Sequence, residues 1–322
     1  MEDARIHSSA DSREVGPRGC TGLDNPDEPL RCVFSTVTEI KVGTGTTAKK
    51  QRSKILWHVQ QSGADEFGVR KINPQFVPVG ESEIIDQDEL LTRYTPEVEI
   101  HNTRVEPAMC ALKKTVAKGD KHRKKGEPLS AEMEYTKALD VDETNVRSIF
   151  GLGLVYLDRG DKDKARGVFE QLVALNAAFD IKHKHLFNEF GIALRKNELY
   201  DEAVKYYSRA VELSTDDENL YYNLSRAFYE KDDWEHCFEF ASRALKLNSQ
   251  LDHALGLCRL IVSLSKDPDR RDLYGKPAVP ADVANKAKGL LGIGDEVMDM
   301  TVELPSIGEE FEASTVSFGE DN

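Results

Sequence analysis

The chain has 322 residues, of which 39% are hydrophobic and 31% are charged, enough to form one or two domains with ordinary cores. A formal net charge of −14 argues against a general nucleic-acid or acidic-membrane binder, and no run approaches the roughly 18 apolar residues of a membrane helix. Five scattered cysteines never form C-x-x-C, so we expect neither a zinc site nor a disulfide framework. With no secretory signal visible at the N-terminus, these features predict a soluble protein of the reducing cytoplasm.

The N-terminal third divides into two regions of different composition. Residues 1–29 carry Ser, Asp, Gly and Pro with few large apolar residues, which predicts a disordered leader. Residues 30–105 are rich in β-branched and aromatic residues and predict a small β-rich unit. Its elements are expected at Val33–Val42, Lys54–Gln60, Phe67–Ile72 and Gln75–Val79, followed by a short helix over about Gln87–Tyr94.

The central region repeats itself with a period of 34 residues. Gly119 and Gly153 are separated by this period, as are Gly126 and Gly160, and the pattern resumes at Gly191 after four extra residues. The repeats span 112–145, 146–179, 184–217 and 218–251, and residues 252–265 follow as a capping helix. A small residue at the eighth position would let the two helices of a pair approach closely, and the glycines at 126 and 160 suit helix C-termini.

These recurring positions resemble the tetratricopeptide-repeat (TPR) family, most completely over Gly191–Leu213. The resemblance implies a mainly α fold: a right-handed superhelix of four helix pairs plus a capping helix, preceded by the β-rich unit. With its small N-terminal extension, the chain is similar to uncharacterised bacterial TPR proteins. Residues 266–322 become acidic towards the end and predict a mostly disordered tail, with a short helix near Pro280–Leu291.

In TPR proteins, the ligand usually contacts fixed positions on the first helix of each repeat. Carried onto this chain, the resemblance implies a groove with an apolar floor and a basic rim, suited to an acidic, apolar peptide segment of another protein. The alternative for each aromatic residue is that it simply packs between helices. The predicted partner-binding residues are Arg147, Phe150, Leu154, Asn188, Ile192, Arg195, Tyr222, Arg226 and Tyr229.

The acidic tail could occupy the same groove, because Glu309–Glu312 and Ser317–Asp321 combine acidic residues with single aromatic residues. The simpler interpretation is a solubilising tail. Basic clusters at 113–125 and 49–54 are better explained as solvated faces than as nucleic-acid sites.

The sequence shows no arrangement typical of an enzyme. The segment 43–49 lacks the Gly-Lys-Ser/Thr ending of a phosphate-binding loop. His183 and His185 with Glu189 lack a fourth metal ligand and are better explained as surface residues. We therefore predict a non-catalytic adaptor or scaffold without cofactor or metal. The alternative is a β-rich unit that senses a ligand or nucleotide, with the TPR array as its regulatory output.

Overall fold

The computed structural model of the chain describes residues 20–23, 28–42, 49–179 and 183–293. These residues form a mainly helical protein with an antiparallel sheet near the N-terminus, which confirms the predicted fold class. They divide into two compact units. The first comprises the described part of Met1–Lys121 with Met133–Asn145, and the second comprises His122–Glu132 with the described part of Val146–Asn322.

The sheet of the first unit has five strands in the order β4-β3-β2-β1-β5, each antiparallel to its neighbour. They are β1 (Arg31–Val42), β2 (Lys49–Gln61), β3 (Phe67–Ile72), β4 (Pro78–Ile85) and β5 (Thr95–Pro96), with helix α1 (Gln87–Arg93) between the last two. The third predicted strand is confirmed. The fourth runs later than predicted, because residues 74–76 form a turn in which Phe76 has a positive φ.

Side chains alternate between the two faces of the sheet, as the period of two along a strand requires. Cys32, Phe34 and Val59 lie on one face and pack with Leu90 of α1. Val33 lies on the other face and packs with Ile72 and with Val105, which precedes helix α3. Both faces of β1 are therefore buried at Cys32–Phe34, where the sequence has three apolar residues in a row.

The helices follow in antiparallel pairs. A short helix α2 (Val98–Ile100) and a π-helical turn over His101–Val105 lead into the first pair. The pairs are α3 (Glu106–Lys124) with α4 (Pro128–Val141), α5 (Val146–Asp158) with α6 (Lys162–Ala174), α7 (Lys184–Lys196) with α8 (Tyr200–Leu213), and α9 (Glu218–Glu230) with α10 (Trp234–Leu247). Helices α11 (Asp252–Lys266), α12 (Pro268–Leu273) and α13 (Ala281–Leu291) complete the described chain.

The small residue at the eighth position of a repeat has the predicted effect on packing. A Cβ built on Gly191 would lie 2.3 Å from Cζ of Tyr207, and one on Gly119 would lie 2.7 Å from Cε1 of Tyr135. In the fourth repeat the position holds Ser225, whose hydroxyl donates a hydrogen bond of 2.5 Å to the carbonyl of Cys237. The first and second helix of a pair therefore approach closely enough to exclude a larger side chain.

The turn after the first helix of each repeat requires a left-handed residue. Gly126 and Gly160 adopt it with φ of 71° each, as predicted from the sequence. The equivalent residues of the third and fourth repeats are Glu198 and Asp232, with φ of 61° and 62°. These two side chains carry a conformational cost that glycine avoids.

The C-terminal helices extend the ordered region beyond the repeats. Val283 and Ala287 of α13 are buried in the same core cluster as Ala254 and Ile261 of α11. Helix α13 coincides with the short helix predicted near 280–291. The acidic segments proposed to occupy the groove, at 309–321, lie outside the described residues, as does most of the predicted leader.

Cys20 and Cys32 form a disulfide, so the prediction that the chain has none is wrong. Thr21 pairs with Arg31 as an isolated antiparallel bridge, with N–O distances of 3.0 and 3.1 Å, and this pairing brings the two cysteines together. A spacing of 12 residues gave no sign of that contact. Among the described residues, no helix is both long and apolar enough to cross a membrane. The cytoplasmic location stays a prediction.

Candidate functional site

The nine residues predicted to bind a partner lie on three first helices of the second unit. Helix α5 carries Arg147, Phe150 and Leu154, helix α7 carries Asn188, Ile192 and Arg195, and helix α9 carries Tyr222, Arg226 and Tyr229. Arg147 is exposed, and Asn188 and Ile192 are half-buried. The other six are buried, with exposed fractions between 0% and 8%.

The buried aromatic residue on α5 is explained by packing. The ring of Phe150 meets that of Phe190 edge-on, with centroids 5.9 Å apart, and Phe190 in turn contacts Tyr206 at 5.5 Å. Edge-to-face contacts at these distances are favourable for aromatic pairs. Phe150 and Leu154 are therefore core residues that support the face of α5. For Phe150 this agrees with the alternative interpretation of the sequence, in which an aromatic residue packs between helices.

A cluster of buried charges occupies the C-terminal end of α9. Nε of Arg226 lies 3.2 Å from Oε1 of Glu230, and the guanidinium lies 5.2 Å from the centre of the Tyr229 ring. Arg195 of α7 is 3% exposed, and its burial lowers the pKa of the guanidinium. Placing charges in such an environment is costly unless opposite charges lie close by.

Lys276 completes this cluster from outside the repeats. It follows α12, and its Nζ donates hydrogen bonds of 2.8 Å to the carbonyl of Tyr229 and to Oδ1 of Asp232. The same ammonium lies 4.4 Å from the centre of the Tyr229 ring and 3.8 Å from Oε2 of Glu230. Lys276 therefore contacts Tyr229 through a cation–π interaction and through a hydrogen bond to its backbone carbonyl. Both contacts cover a residue that was predicted to face a partner.

Sequence reasoning missed Lys276, because the region after 266 has no repeat pattern and reads as loop. The cluster it joins combines three cations, Arg195, Arg226 and Lys276, with two carboxylates, Glu230 and Asp232.

A second group of charges joins α3, α5 and α7. Nη1 of Arg123 lies 2.7 Å from Oε1 of Glu189, and Arg123 also interacts electrostatically with Asp158. Burial raises the pKa of Asp158, and Glu189 adds to this effect while Arg123 opposes it. Glu189 is thus engaged with an arginine, so the weak metal site considered with His183 and His185 gains no support.

The ligand-sensing alternative requires a pocket in the first unit. A cleft of about 220 Å³ there is lined by Gln75 and by residues of α3 and α4, among them Ala111, Leu112 and Ala138. This volume is below the roughly 300 Å³ at which small-molecule sites begin. The cleft contains one charged lining residue, Lys137, whose Nζ pairs with Glu134 at 2.9 Å.

Comparison with curated proteins finds no match. Among solved structures, the chain is similar to a MamA protein at 20% identity, with a TM-score of 0.38 over 56% of this chain and 88% of that chain. It is similar to MamA from Desulfovibrio magneticus RS-1 at 17% identity (TM-score 0.38; 57% and 97% covered). For PilF of Pseudomonas aeruginosa the values are 17% identity, a TM-score of 0.37, and coverage of 58% and 78%.

The tetratricopeptide-repeat family model matches residues 116–178 and 188–251. The matched ranges contain the close glycine–aromatic contact of the third repeat and the left-handed turns at 126, 160, 198 and 232. Residues 116–178 and 188–251 of this chain are therefore tetratricopeptide repeats.

Proposed function

We propose that the chain is a non-catalytic adaptor that holds a segment of another protein against the first helices of its repeats. TPR arrays generally mediate protein–protein interaction, using extended surfaces built from successive repeats. The observation that carries the proposal is the series Arg147, Asn188 and Ile192, which are exposed or half-buried on α5 and α7 above a buried apolar layer. A cation, an amide and an aliphatic side chain suit an apolar segment with acidic flanks.

The buried members of the predicted groove have a supporting role in this proposal. Phe150, Leu154, Tyr222 and Tyr229 fix the positions of the helices. Replacing Tyr222 or Arg226 would disturb packing as well as binding, because they are 8% and 5% exposed. The half-buried Asn188 and Ile192 and the exposed Arg147 therefore give the cleaner test.

The test uses photo-cross-linking in the native extract. A photoreactive amino acid replaces Asn188 or Ile192 in the full chain, and a control chain carries it at Glu239, an exposed residue of the second helix α10. We expect one protein to be cross-linked from 188 and 192 and not from 239. Equal capture from 239 would place binding elsewhere and contradict the proposal.

A charge reversal tests the basic rim with the partner so identified. Arg147→Glu should weaken its binding at least tenfold, because an acidic flank would then meet a like charge. Arg243→Glu on α10 is the matched control, since it reverses a charge on a different helix and is also exposed. Equal affinity of the two variants would exclude Arg147 from the site.

The acidic tail is a candidate competitor of the partner for the same face of the repeats. If residues 294–322 reach the same face, their deletion should increase the affinity for the cross-linked partner, and Arg147→Glu should remove that increase. Unchanged affinity after deletion leaves the tail as a solubilising segment. The deletion starts at 294 because α13 ends at Leu291 and packs on α11.

A further inference from the structure

Two cysteines and a histidine meet at the N-terminal end of strand β1. The donor atoms of Cys20, Cys32 and His101 all lie within 4.8 Å of one another. Cys32 and His101 are fully buried, and Cys20 is half-buried. The backbone N–H of Cys20 also donates a 3.2 Å hydrogen bond to Oδ1 of Asn102, which fixes Cys20 beside the turn that carries His101.

A second buried histidine, His58, lies beside His101. The rings of His58 and His101 stack with centroids 6.2 Å apart and planes inclined by 27°. His58 is 1% exposed, and within the described part of the chain its Nε2 has no hydrogen-bond partner. Buried polar atoms are rarely left without a partner, and a bound water or ion is one of the explanations for such an atom.

We propose that Cys20, Cys32 and His101 form a zinc site when the disulfide is reduced. Two thiolates and an imidazole are typical zinc ligands, with Zn–S near 2.3 Å and Zn–N near 2.0 Å. Tetrahedral geometry then separates the ligand atoms by about 3.5–3.8 Å, and the three donor atoms already lie within 4.8 Å of one another. Three protein ligands leave a fourth position for water.

The disulfide and the metal exclude each other, so the site is a redox switch. A dithiol reductant transfers two electrons and two protons to the Cys20–Cys32 bond, yielding two thiols and the disulfide of the reductant. Zinc then binds the two sulfurs as thiolates, and the two thiol protons pass to solvent. In the reverse direction a small-molecule disulfide accepts the two electrons and leaves as two thiolates, which restores the Cys20–Cys32 bond and releases Zn²⁺.

The fold provides for both states without large movement. Thr21 and Arg31 hold the two cysteines together through their backbone bridge whichever bond the sulfurs form. Arg31 also pairs with Glu106 at 2.9 Å, which ties β1 to the first turn of α3 directly after the histidine turn. Moving from disulfide to zinc requires the sulfurs to separate by under about 2 Å.

The test uses the untagged full chain, because a histidine tag would itself bind metal. The chain is prepared in oxidised form and in a form reduced by a phosphine, and each is titrated with Co²⁺ and then Zn²⁺. The reduced chain should bind one equivalent, giving thiolate-to-cobalt absorption in the near ultraviolet that Zn²⁺ displaces. The oxidised chain should show no such absorption.

Variants assign the ligands. Cys20→Ser and Cys32→Ser should each abolish the absorption band, and His101→Gln should weaken binding more than tenfold while retaining thiolate absorption. Cys110→Ser is the control, since Cys110 is a free, half-buried cysteine of the same unit, and it should bind like the unaltered chain.

Two outcomes would overturn the proposal. One is a reduced chain that binds no cobalt at micromolar concentration while its circular dichroism shows that it remains folded. The other is a binding signal that survives Cys32→Ser or disappears in Cys110→Ser. The comparison of oxidised and reduced wild-type chain needs no substitution, so it holds even if His101→Gln fails to fold.

Discussion

The sheet of the first unit and the repeats of the second are stabilised over very different distances along the chain. Strand β1 pairs with β5 through Phe34 and Pro96, and Arg31 of the same strand pairs with Glu106. In the repeats, the decisive contacts join residues such as Gly191 and Tyr207, which lie in one helix pair. Local contacts leave a periodic pattern in the sequence, whereas pairing between distant segments leaves none.

The sheet and the helix pairs are also stabilised by different kinds of contact. The sheet relies on a covalent link and on antiparallel ladders, and the helix pairs of both units rely on close approach at small residues. Reducing the disulfide should therefore affect the sheet, and adding a methyl group at a helix crossing should affect the repeats. The predictions that follow test this contrast, beginning with the largest expected effect.

Loss of the disulfide should weaken the first unit most. Cys20→Ser should reduce the free energy of unfolding by about 3 kcal/mol under oxidising conditions, since the bond closes a loop of 12 residues and restricts the unfolded chain. Hydrogen exchange should accelerate in β1 and β2 more than in α7 and α8. Cys110→Ser should leave both regions unchanged, and equal acceleration in both would contradict the contrast.

A single methyl group should disturb the third repeat. Gly191→Ala should cost about 2 kcal/mol, because its Cβ would lie 2.3 Å from the buried ring of Tyr207, and that cost exceeds the gain in helix propensity. Urea unfolding followed by circular dichroism measures it.

The same substitution in open space provides the control. Gly167→Ala in α6 meets no atom within 4 Å and should be neutral or stabilise by up to about 1 kcal/mol. Equal changes in the free energy of unfolding at 167 and 191 would show that the eighth position of a repeat does not need a small residue for close helix approach.

Substitutions at the left-handed turns should show that glycine is favoured there for a different reason. Introducing glycine should increase the free energy of unfolding, and removing it should decrease it. Glu198→Gly should raise the free energy of unfolding by about 1 kcal/mol, because it removes the steric cost of φ at 61°. Gly160→Glu, at the equivalent turn of the second repeat, should lower it by a similar amount. Thermal unfolding of both variants gives the comparison, and a loss of stability in Glu198→Gly would contradict this account.

The smallest expected change comes from a buried hydroxyl. Tyr207 is fully buried, burial raises the pKa of its phenol to about 12, and its hydroxyl has no hydrogen-bond partner among the described residues. Tyr207→Phe should therefore stabilise the repeat slightly, by less than about 1 kcal/mol, since an unsatisfied polar group is removed. A clear destabilisation in urea would indicate that the hydroxyl is bonded in solution.

Much of the repeat region could be predicted because each repeat is a local unit. The period of 34 residues located Gly119, Gly153 and Gly191 at helix crossings, and Gly126 and Gly160 at left-handed turns. It could not show that Glu198 and Asp232 take the same conformation, because their side chains give no signal for a positive φ.

The candidate face was predicted less completely. Periodicity assigned nine residues to three first helices, but the exposure of each depends on what packs above it. Lys276 reaches Tyr229 from a segment without any pattern, and Phe150 is covered by Phe190 of the next pair. Burial is a property of the neighbours as well as of the residue, so a helical period alone does not give it.

The sequence by itself determined that the chain contains TPR helices, because 34-residue spacing of small and large residues encodes packing within adjacent segments. Only the tertiary structure decided which predicted groove residues stay accessible, that Lys276 completes a charged cluster, and that Cys20, Cys32 and His101 meet. These three facts join residues from different elements, and their positions are fixed by chain folding rather than by local propensity.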